Sequence, residues 1–512
     1  MMIDNPAAKR RSRLFRWAVF LIYLAAVLFL VSRHENWRDE AQAWLMVRDL
    51  SVPQLIAQMK YEGHPCLWHL ILMPFAKLGF PYRTMNLISA ALVAAAVWLL
   101  LFRSPVPLPL QCLALAGSAL LYFLPVISRS YALIPLFLFL NAMYYDGRRE
   151  RPLRYGLSLA LLVQTHLYMI PVAGMLSLFW FFEALAAWRK DRDGKTLLRQ
   201  ALGLMLPLVS FLLFLAQITG VESSSAFELK WENLLTLPAV LYTRHLNLLG
   251  IVSGFMPMLF LRCPRLTLAV FLFFLFIPAL IALLIAWRRK ERETGKCCLL
   301  YLLFAGIQFA FYLLLLRTGV CKTAILALLP VWLLWVLWPR LDDRAVRACV
   351  LSVYCGVALF FIALNSFSVN DIRHPYTDAP DCAAYIKEQL PEDALIFQAN
   401  TPISSAVLAY LDADAFYSLE SRSLESYATW IKREPAVTDY ASLGAWAREI
   451  DPRAETVYLL CGVEADPDYE EIMSHLEDDD LIYSSLLSPK LQDQAILTSQ
   501  QELVYLFKIE LS

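Results

Sequence analysis

Asp39 and Glu40 are adjacent carboxylates in NWRDEAQAW, a few residues after an apolar run from Arg16 to Val31. A carboxylate beside a reacting hydroxyl or amine can take its proton, the work of a general base. It can also cap a helix, and Gln42 stands where the N3 partner of an Asp39 cap would be. Both roles fit Asp39, and neither excludes the other. Glu40 fits orientation of Asp39 or contact with an acceptor. His64, in GHPCLWHLIL, fits a metal ion, a phosphate or a helix cap. Arg129 and Tyr131 lie in SRSYAL, and His166 with Tyr168 lies in THLYMIP. Arg129 fits a substrate contact or a carboxylate partner, Asp39 included. His166 fits either a substrate contact or a structural polar group at a span end. Arg317 and Lys322 lie in RTGVCKTA. Guanidinium groups pair bidentately with phosphate, and basic side chains also anchor to anionic headgroups; both readings stay open for this pair.

These residues need elements to hold them, and composition says which kind. Hydrophobic residues make up 59% of the 512 residues and charged residues only 18%. Mean hydropathy is +0.52. Such a chain is a polytopic membrane protein rather than a soluble enzyme. The net charge of zero hides an asymmetry: residues 1–370 carry 36 basic and 18 acidic groups, and 371–512 carry 9 and 27. A basic membrane domain (1–370) is therefore expected to precede an acidic water-soluble domain (371–512). The ten cysteines include no C-x-x-C. Only Cys382 and Cys461 fall in the acidic part, and a disulfide between them is left open, though no spacing supports it.

A membrane-crossing helix needs roughly 20 mostly apolar residues. Eleven stretches qualify: 17–32, 84–102, 110–127, 131–146, 155–169, 171–187, 200–219, 266–287, 297–316, 324–339 and 348–366. Lys9, Arg10, Arg11, Arg13 and Arg16 place the N-terminus in the cytoplasm, and the first span lacks a cleavage site. Four further basic loops, at 148–154, 189–199, 288–296 and 340–347, fit the same side. Eleven spans then put the C-terminal domain outside a plasma membrane. Segment 33–83 becomes the first outer loop. One helix is expected from Asp39 and another from Ser51, where Ser51-Val-Pro-Gln54 reads as a capping box. The apolar stretch 66–80 is expected to lie along the membrane. Residues 220–265, with Glu222, Glu228, Arg244 and His245, are expected to form a long outer loop with apolar interfacial segments, a pair of short spans being the alternative. The charged candidates collect on that outer side, as charges marking solvent or substrate do. The Trp and Tyr near span ends read as interfacial belts.

After Asn365 the periodicity changes. β-rich runs at 394–400, 456–462, 481–487, 495–500 and 503–509 alternate with helical stretches at Pro380–Gln389 and Tyr440–Glu449. A small α/β domain is expected. It carries no phosphate loop, no Gly-rich dinucleotide fingerprint and no metal-ligand cluster, and no nucleic-acid partner is expected. The EDDD run at 477–480 reads as a solvated acidic turn.

With order and topology taken together, residues 1–365 resemble the GT-C superfamily of membrane glycosyltransferases. They are most similar to bacterial relatives of protein O-mannosyltransferases and of lipid A aminoarabinose transferases. The acidic pair in RDEAQAW, the His64-Pro65 step and the Ile127-Ser128-Arg129 step carry the match. The fold class expected is an α-helical polytopic membrane protein of about 11 spans with an extracytoplasmic α/β domain. The resemblance implies a polyprenyl-phosphate sugar donor and an envelope glycan, lipid or protein acceptor. It implies Asp39 as the base, with Glu40 beside it, and His64, Arg129, Tyr131, His166, Arg317 and Lys322 as substrate contacts. Two departures stand out: Cys66 replaces a second Pro, and Ile134 occupies a stretch where many members carry an Asp. Glu62 or Glu222 could supply that second carboxylate. A divalent metal ion, with Asp39 and His64 as candidate ligands, is left open. Two other classes compete: a flippase for lipid-linked sugars, which would bring internal repeats that the sequence lacks, and a non-catalytic envelope assembly protein.

Overall fold

The computed structural model describes residues 6–219, 264–314, 320–373, 377–431, 434–462, 469–476, 480–485 and 502–511. Helix α1 (Pro6–Arg33) carries the first apolar run. Three short helices follow: α2 (Arg38–Asp49), α3 (Val52–Glu62) and α4 (Leu67–Lys77). α2 begins one residue before the expected start. Its first turn is answered by Glu40, whose Oε2 accepts the Trp37 amide at 3.2 Å. The expected Asp39–Gln42 cap is therefore replaced by one from Glu40. α3 starts as its sequence predicts, with the Ser51 amide donating to Gln54 Oε1 at 2.9 Å and Pro53 in the first turn. Gly63 ends it at φ 70°, a left-handed conformation that glycine adopts without strain. α4 has 11 residues, a length of ~16 Å at the usual helical rise. That is too short to cross a ~30 Å hydrocarbon core. Leu70, Leu78 and Phe80 are exposed, an apolar surface suited to a helix lying along a membrane.

The bundle continues with α5 (Thr84–Arg103), α6 (Leu108–Leu115), α7 (Leu133–Tyr144), α8 (Pro152–Val163), α9 (Ile170–Asp191) and α10 (Gly194–Ile218). From residue 264 onward come α11 (Pro264–Arg288), α12 (Arg292–Leu314), α13 (Val320–Leu337) and α14 (Arg344–Ala363). Among the described residues, eight helices are long and apolar enough to cross a membrane. They are α1, α5 and α9 to α14. The other three expected spans are shorter. Stretch 110–127 breaks into α6 and a π-turn at Ala119–Phe123. Stretch 131–146 becomes a 3-10 turn and the 12-residue α7, and 155–169 becomes the 12-residue α8. α7 and the π-turn are mostly buried in protein, where irregular backbone is tolerated because it does not face lipid. Apolar composition alone could not reveal this, because buried and lipid-facing helices read alike.

The basic loops gather at one end. Arg148 meets Glu183 at 2.8 Å and Glu293 at 3.5 Å, and Lys296 meets Glu293 at 2.6 Å. Arg340 pairs with Asp146, and the Gln200 side chain donates to the Arg149 carbonyl. Side chains also determine how closely helices approach. A Cβ on Gly156 in α8 would collide with the Gly203 carbonyl of α10.

At the opposite end, α15 (Ser366–Arg373) leads to α16 (Ala379–Gln389), α17 (Thr401–Leu411) and α18 (Tyr440–Ile450). Six strands form one sheet: β1 (Ile396–Gln398), β2 (Phe416–Ser418), β3 (Ser423–Glu425), β4 (Thr456–Gly462), β5 (Leu481–Ser484) and β6 (Val504–Glu510). Their order is β3-β2-β1-β4-β6-β5. β1 runs parallel to β2 and β4, and the remaining pairs are antiparallel. The expected strand at 495–500 lies outside the described residues. α17, β2 and β3 are elements that the periodicity did not disclose. α17 packs on α2 and so joins the sheet region to the first loop. Cys382 and Cys461 are buried free thiols, so the disulfide left open by the sequence is absent.

Gly156→Leu tests the close crossing of α8 and α10. Overpacking of this kind costs about 1–3 kcal/mol. The expected result is a lower thermal unfolding temperature in detergent. An unchanged unfolding temperature would show that the helices can separate freely here.

Candidate active site

Asp39 occupies the second position of α2, with its side chain about one-third exposed. Arg129 follows the broken α6 segment in extended backbone (φ −129°, ψ 168°), just before a 3-10 turn. The two side chains form an ion pair. They line a cavity of about 340 Å³ together with Gln42, Glu62, His64, Trp68, His69, Ser128, Tyr131, His166, Tyr168, Lys322 and Trp430. The cavity lies at the end of the bundle that carries the sheet region, away from the basic loops.

The sequence candidates divide clearly. Asp39, His64, Arg129, Tyr131, His166 and Lys322 converge on this cavity. Arg317 and the Glu222–His245 group lie outside the described residues. Glu40 does not line the cavity, and its side chain is 0% exposed. Its Oε1 accepts the Ser128 amide at 2.7 Å, and its Oε2 faces His34 Nε2 at 3.0 Å. An acceptor contact through Glu40 is thus corrected: the residue is a buried anchor. The reason is helical geometry, since successive residues point about 100° apart on a helix. Asp39 then faces the cavity while Glu40 faces the core.

Glu62 brings a second carboxylate to the cavity. Its Oε1 accepts from Gln42 at 2.7 Å and from the Trp430 indole at 3.0 Å. Burial pushes its pKa up to about 7, against the pull of those two donors. His64 Nε2 stands 4.0 Å from Glu62. Burial lowers His64 to about 4, with the Lys322 charge acting in the same direction. At neutral pH His64 is therefore an uncharged imidazole, and the contact is not an ion pair. Burial also holds His69 and His166 well below the ordinary histidine range. The rings run in series. Tyr131 lies 4.8 Å from His166, His166 lies 6.0 Å from His64, and His64 lies 5.4 Å from His69. His166 also caps its own turn, accepting the Tyr168 amide at 3.3 Å. No group of three or more metal-ligating side chains occurs among the described residues.

Several site residues escaped the sequence reading. His69 and Trp68 sit in the quoted GHPCLWHLIL stretch, yet their apolar context read as membrane surface. Trp430 comes from the sheet region and gave no signal. It adopts φ 56°, a left-handed conformation unusual for a large side chain. Gln42 holds that segment in place: its amide bonds the Ala428 carbonyl at 2.7 Å and accepts the Ala428 amide at 2.8 Å. Gln58 adds a bond to the Thr429 carbonyl at 2.9 Å.

No family model and no curated protein matches this sequence. Two solved structures are similar over nearly the whole chain. One is ArnT from Cupriavidus metallidurans bound to undecaprenyl phosphate, at 11% identity and TM-score 0.42, covering 96% of this chain and 97% of that one. The other is the same protein in the apo state, at 13% identity and TM-score 0.45, covering 98% of each chain. The likeness is long but loose, so the chemistry has to come from this chain's own residues.

The raised Glu62 pKa has a consequence for stability. The fold holds this proton more tightly than the unfolded chain, whose carboxyl titrates near 4.5. The contribution is therefore present below pH 4.5 and is lost as pH rises through about 7. Glu502, also buried and raised to about 7, acts in the same direction. Glu62→Gln should shrink the fall in unfolding temperature across that window, measured by thermal scans in detergent. An identical pH profile in wild type and variant would contradict the assignment.

Proposed function

We propose that the protein is an integral-membrane glycosyltransferase. It moves a sugar from a polyprenyl-phosphate carrier to a hydroxyl or amine acceptor at the outer membrane face. The observation that carries this reading is the Asp39–Arg129 pair on the wall of a 340 Å³ cavity that Lys322 also lines. A lipid-phosphate donor needs cations aimed at the departing phosphate and a base aimed at the acceptor. Arg129 and Lys322 serve the first need, with Arg317 as a further phosphate contact, and Asp39 serves the second.

In the resting protein the base is occupied by Arg129. Both side chains are partly exposed, at 32% and 21%. A solvent-exposed pair contributes only about 0–1 kcal/mol, and this half-buried pair opens onto the cavity. A donor phosphate can therefore draw Arg129 away at little cost, because guanidinium pairs bidentately with phosphate. Donor binding then frees Asp39. The acceptor proton passes to the Asp39 carboxylate as the acceptor oxygen or nitrogen bonds to the anomeric carbon. The bond from that carbon to the phosphate oxygen breaks, and polyprenyl phosphate leaves. The neutral imidazoles of His64, His69 and His166 add no competing positive charge.

Sidedness follows from the basic loops that gather at the far end of the bundle. That end is assigned to the cytoplasm, which puts the cavity and the sheet region outside. The acceptor is then an envelope glycan, lipid or protein.

The test is purified protein in detergent with a panel of polyprenyl-phosphate sugars and candidate acceptors. Wild type should release polyprenyl phosphate. Asp39→Asn should lose ~10²–10⁴-fold in rate, the usual worth of a general base, while still binding unglycosylated polyprenyl phosphate. Wild-type turnover in Asp39→Asn would remove it as the base. Donor binding without release from any donor would favour a flippase, to be followed by donor movement across proteoliposomes.

A further inference from the structure

Glu40 belongs to a buried polar chain that the transfer chemistry does not use directly. His34 lies between two carboxylates: its Nε2 is 3.0 Å from Glu40 Oε2 and its Nδ1 is 2.7 Å from Asp371 Oδ2. The Tyr122 hydroxyl donates to the same Asp371 oxygen at 2.8 Å. His34, Glu40 and Asp371 are all buried. Both ring nitrogens face carboxylate oxygens, so a doubly protonated imidazole donates to each. The chain then continues outward. Glu40 Oε1 accepts the Ser128 amide at 2.7 Å, and the next residue, Arg129, is the partner of Asp39. The Ser128 hydroxyl is also held, accepting from Asn86 at 2.9 Å. Asn86 in turn exchanges bonds with Asn36 at 2.9 and 2.8 Å.

Three separate parts of the sequence meet here. His34 directly follows the first helix, Tyr122 lies in the π-turn, and Asp371 lies in α15, next to the sheet region. Neither His34 nor Asp371 lines the cavity, so neither touches substrate. Their effect reaches the site through one carboxylate and one backbone amide.

We propose that His34 and Asp371 are positioning residues: through Glu40 they fix the Ser128 amide, and so hold Arg129 in register with Asp39 and the donor phosphate. The inference rests on the transfer reaction proposed above for its functional meaning. Its structural core, the dependence of Ser128 on His34 and Asp371, stands independently of that reaction. Charged hydrogen bonds of this type are short and strong in a dry interior. Loss of one member leaves the others unanswered and loosens the loop they hold.

The experiment compares wild type with His34→Gln, Asp371→Asn and Tyr122→Phe as full-length protein in detergent. Hydrogen exchange of the Ser128 amide is read first. Exchange should rise in His34→Gln and Asp371→Asn and rise less in Tyr122→Phe, with α9 and α10 unchanged. Transfer from the donor that wild type uses is read second. kcat should fall ~10- to 100-fold, as small displacements of reacting groups do, with a smaller change in donor KM. Asp371→Glu should recover part of the rate. In an Arg129→Gln background, Asp371→Asn should cost nothing further, which a general loss of packing would not produce. If the two stronger variants misfold, Tyr122→Phe removes a single bond at nearly constant shape and still decides the matter. Unchanged Ser128 exchange in the folded variants, or full additivity with Arg129→Gln, would overturn the proposal. If wild type transfers no sugar, the functional reading fails, while the Ser128 exchange still decides the positioning.

Discussion

A buried carboxylate must be answered, because an unpaired charge in the protein interior is expensive. Glu40 is the buried carboxylate on which this site depends. Its two oxygens take up the Trp37 amide, the Ser128 amide and the His34 ring. Those three bonds start α2, set the loop that carries Arg129 and tie both to the end of the first span. Asp39 is its neighbour in sequence and its opposite in environment. The helix directs one carboxylate inward to anchor the loop and the other outward onto the cavity wall.

The same economy governs the rest of the cavity. Charge is confined to a few groups, and the surrounding imidazoles are kept neutral by burial. Glu62 is a carboxylate whose pKa burial has moved close to neutrality. It accepts bonds from the membrane part through Gln42 and from the sheet region through Trp430. The wall of the cavity is therefore completed by the C-terminal part of the chain. That part does more than cover the site, since one of its side chains lines it.

The bundle itself combines long apolar helices with short pieces. α7 and the π-turn before it are surrounded by protein, so their unusual lengths carry no exposed backbone cost. Shortening at this end places Ser128 and Arg129 at the level of the first loop. The close approach of α8 and α10 at the basic-loop end is permitted by Gly156 and Gly203.

The sequence by itself determined the class of protein, the first-loop helices, most strands of the sheet region and the grouping of basic loops at one end. It did so because apolar run length, capping patterns, strand periodicity and charge are local properties. It also marked Asp39, His64, Arg129, Tyr131, His166 and Lys322, which the fold gathers around one cavity. Tertiary structure alone decided which carboxylate of the pair faces the cavity, because a single helical rotation separates them. It alone joined His34 to Asp371 across 337 positions and brought Trp430 to Glu62 across 368. Contacts at such separation leave no periodic or local trace. They depend on how the buried faces of α2, the broken α6 segment and the sheet region pack together.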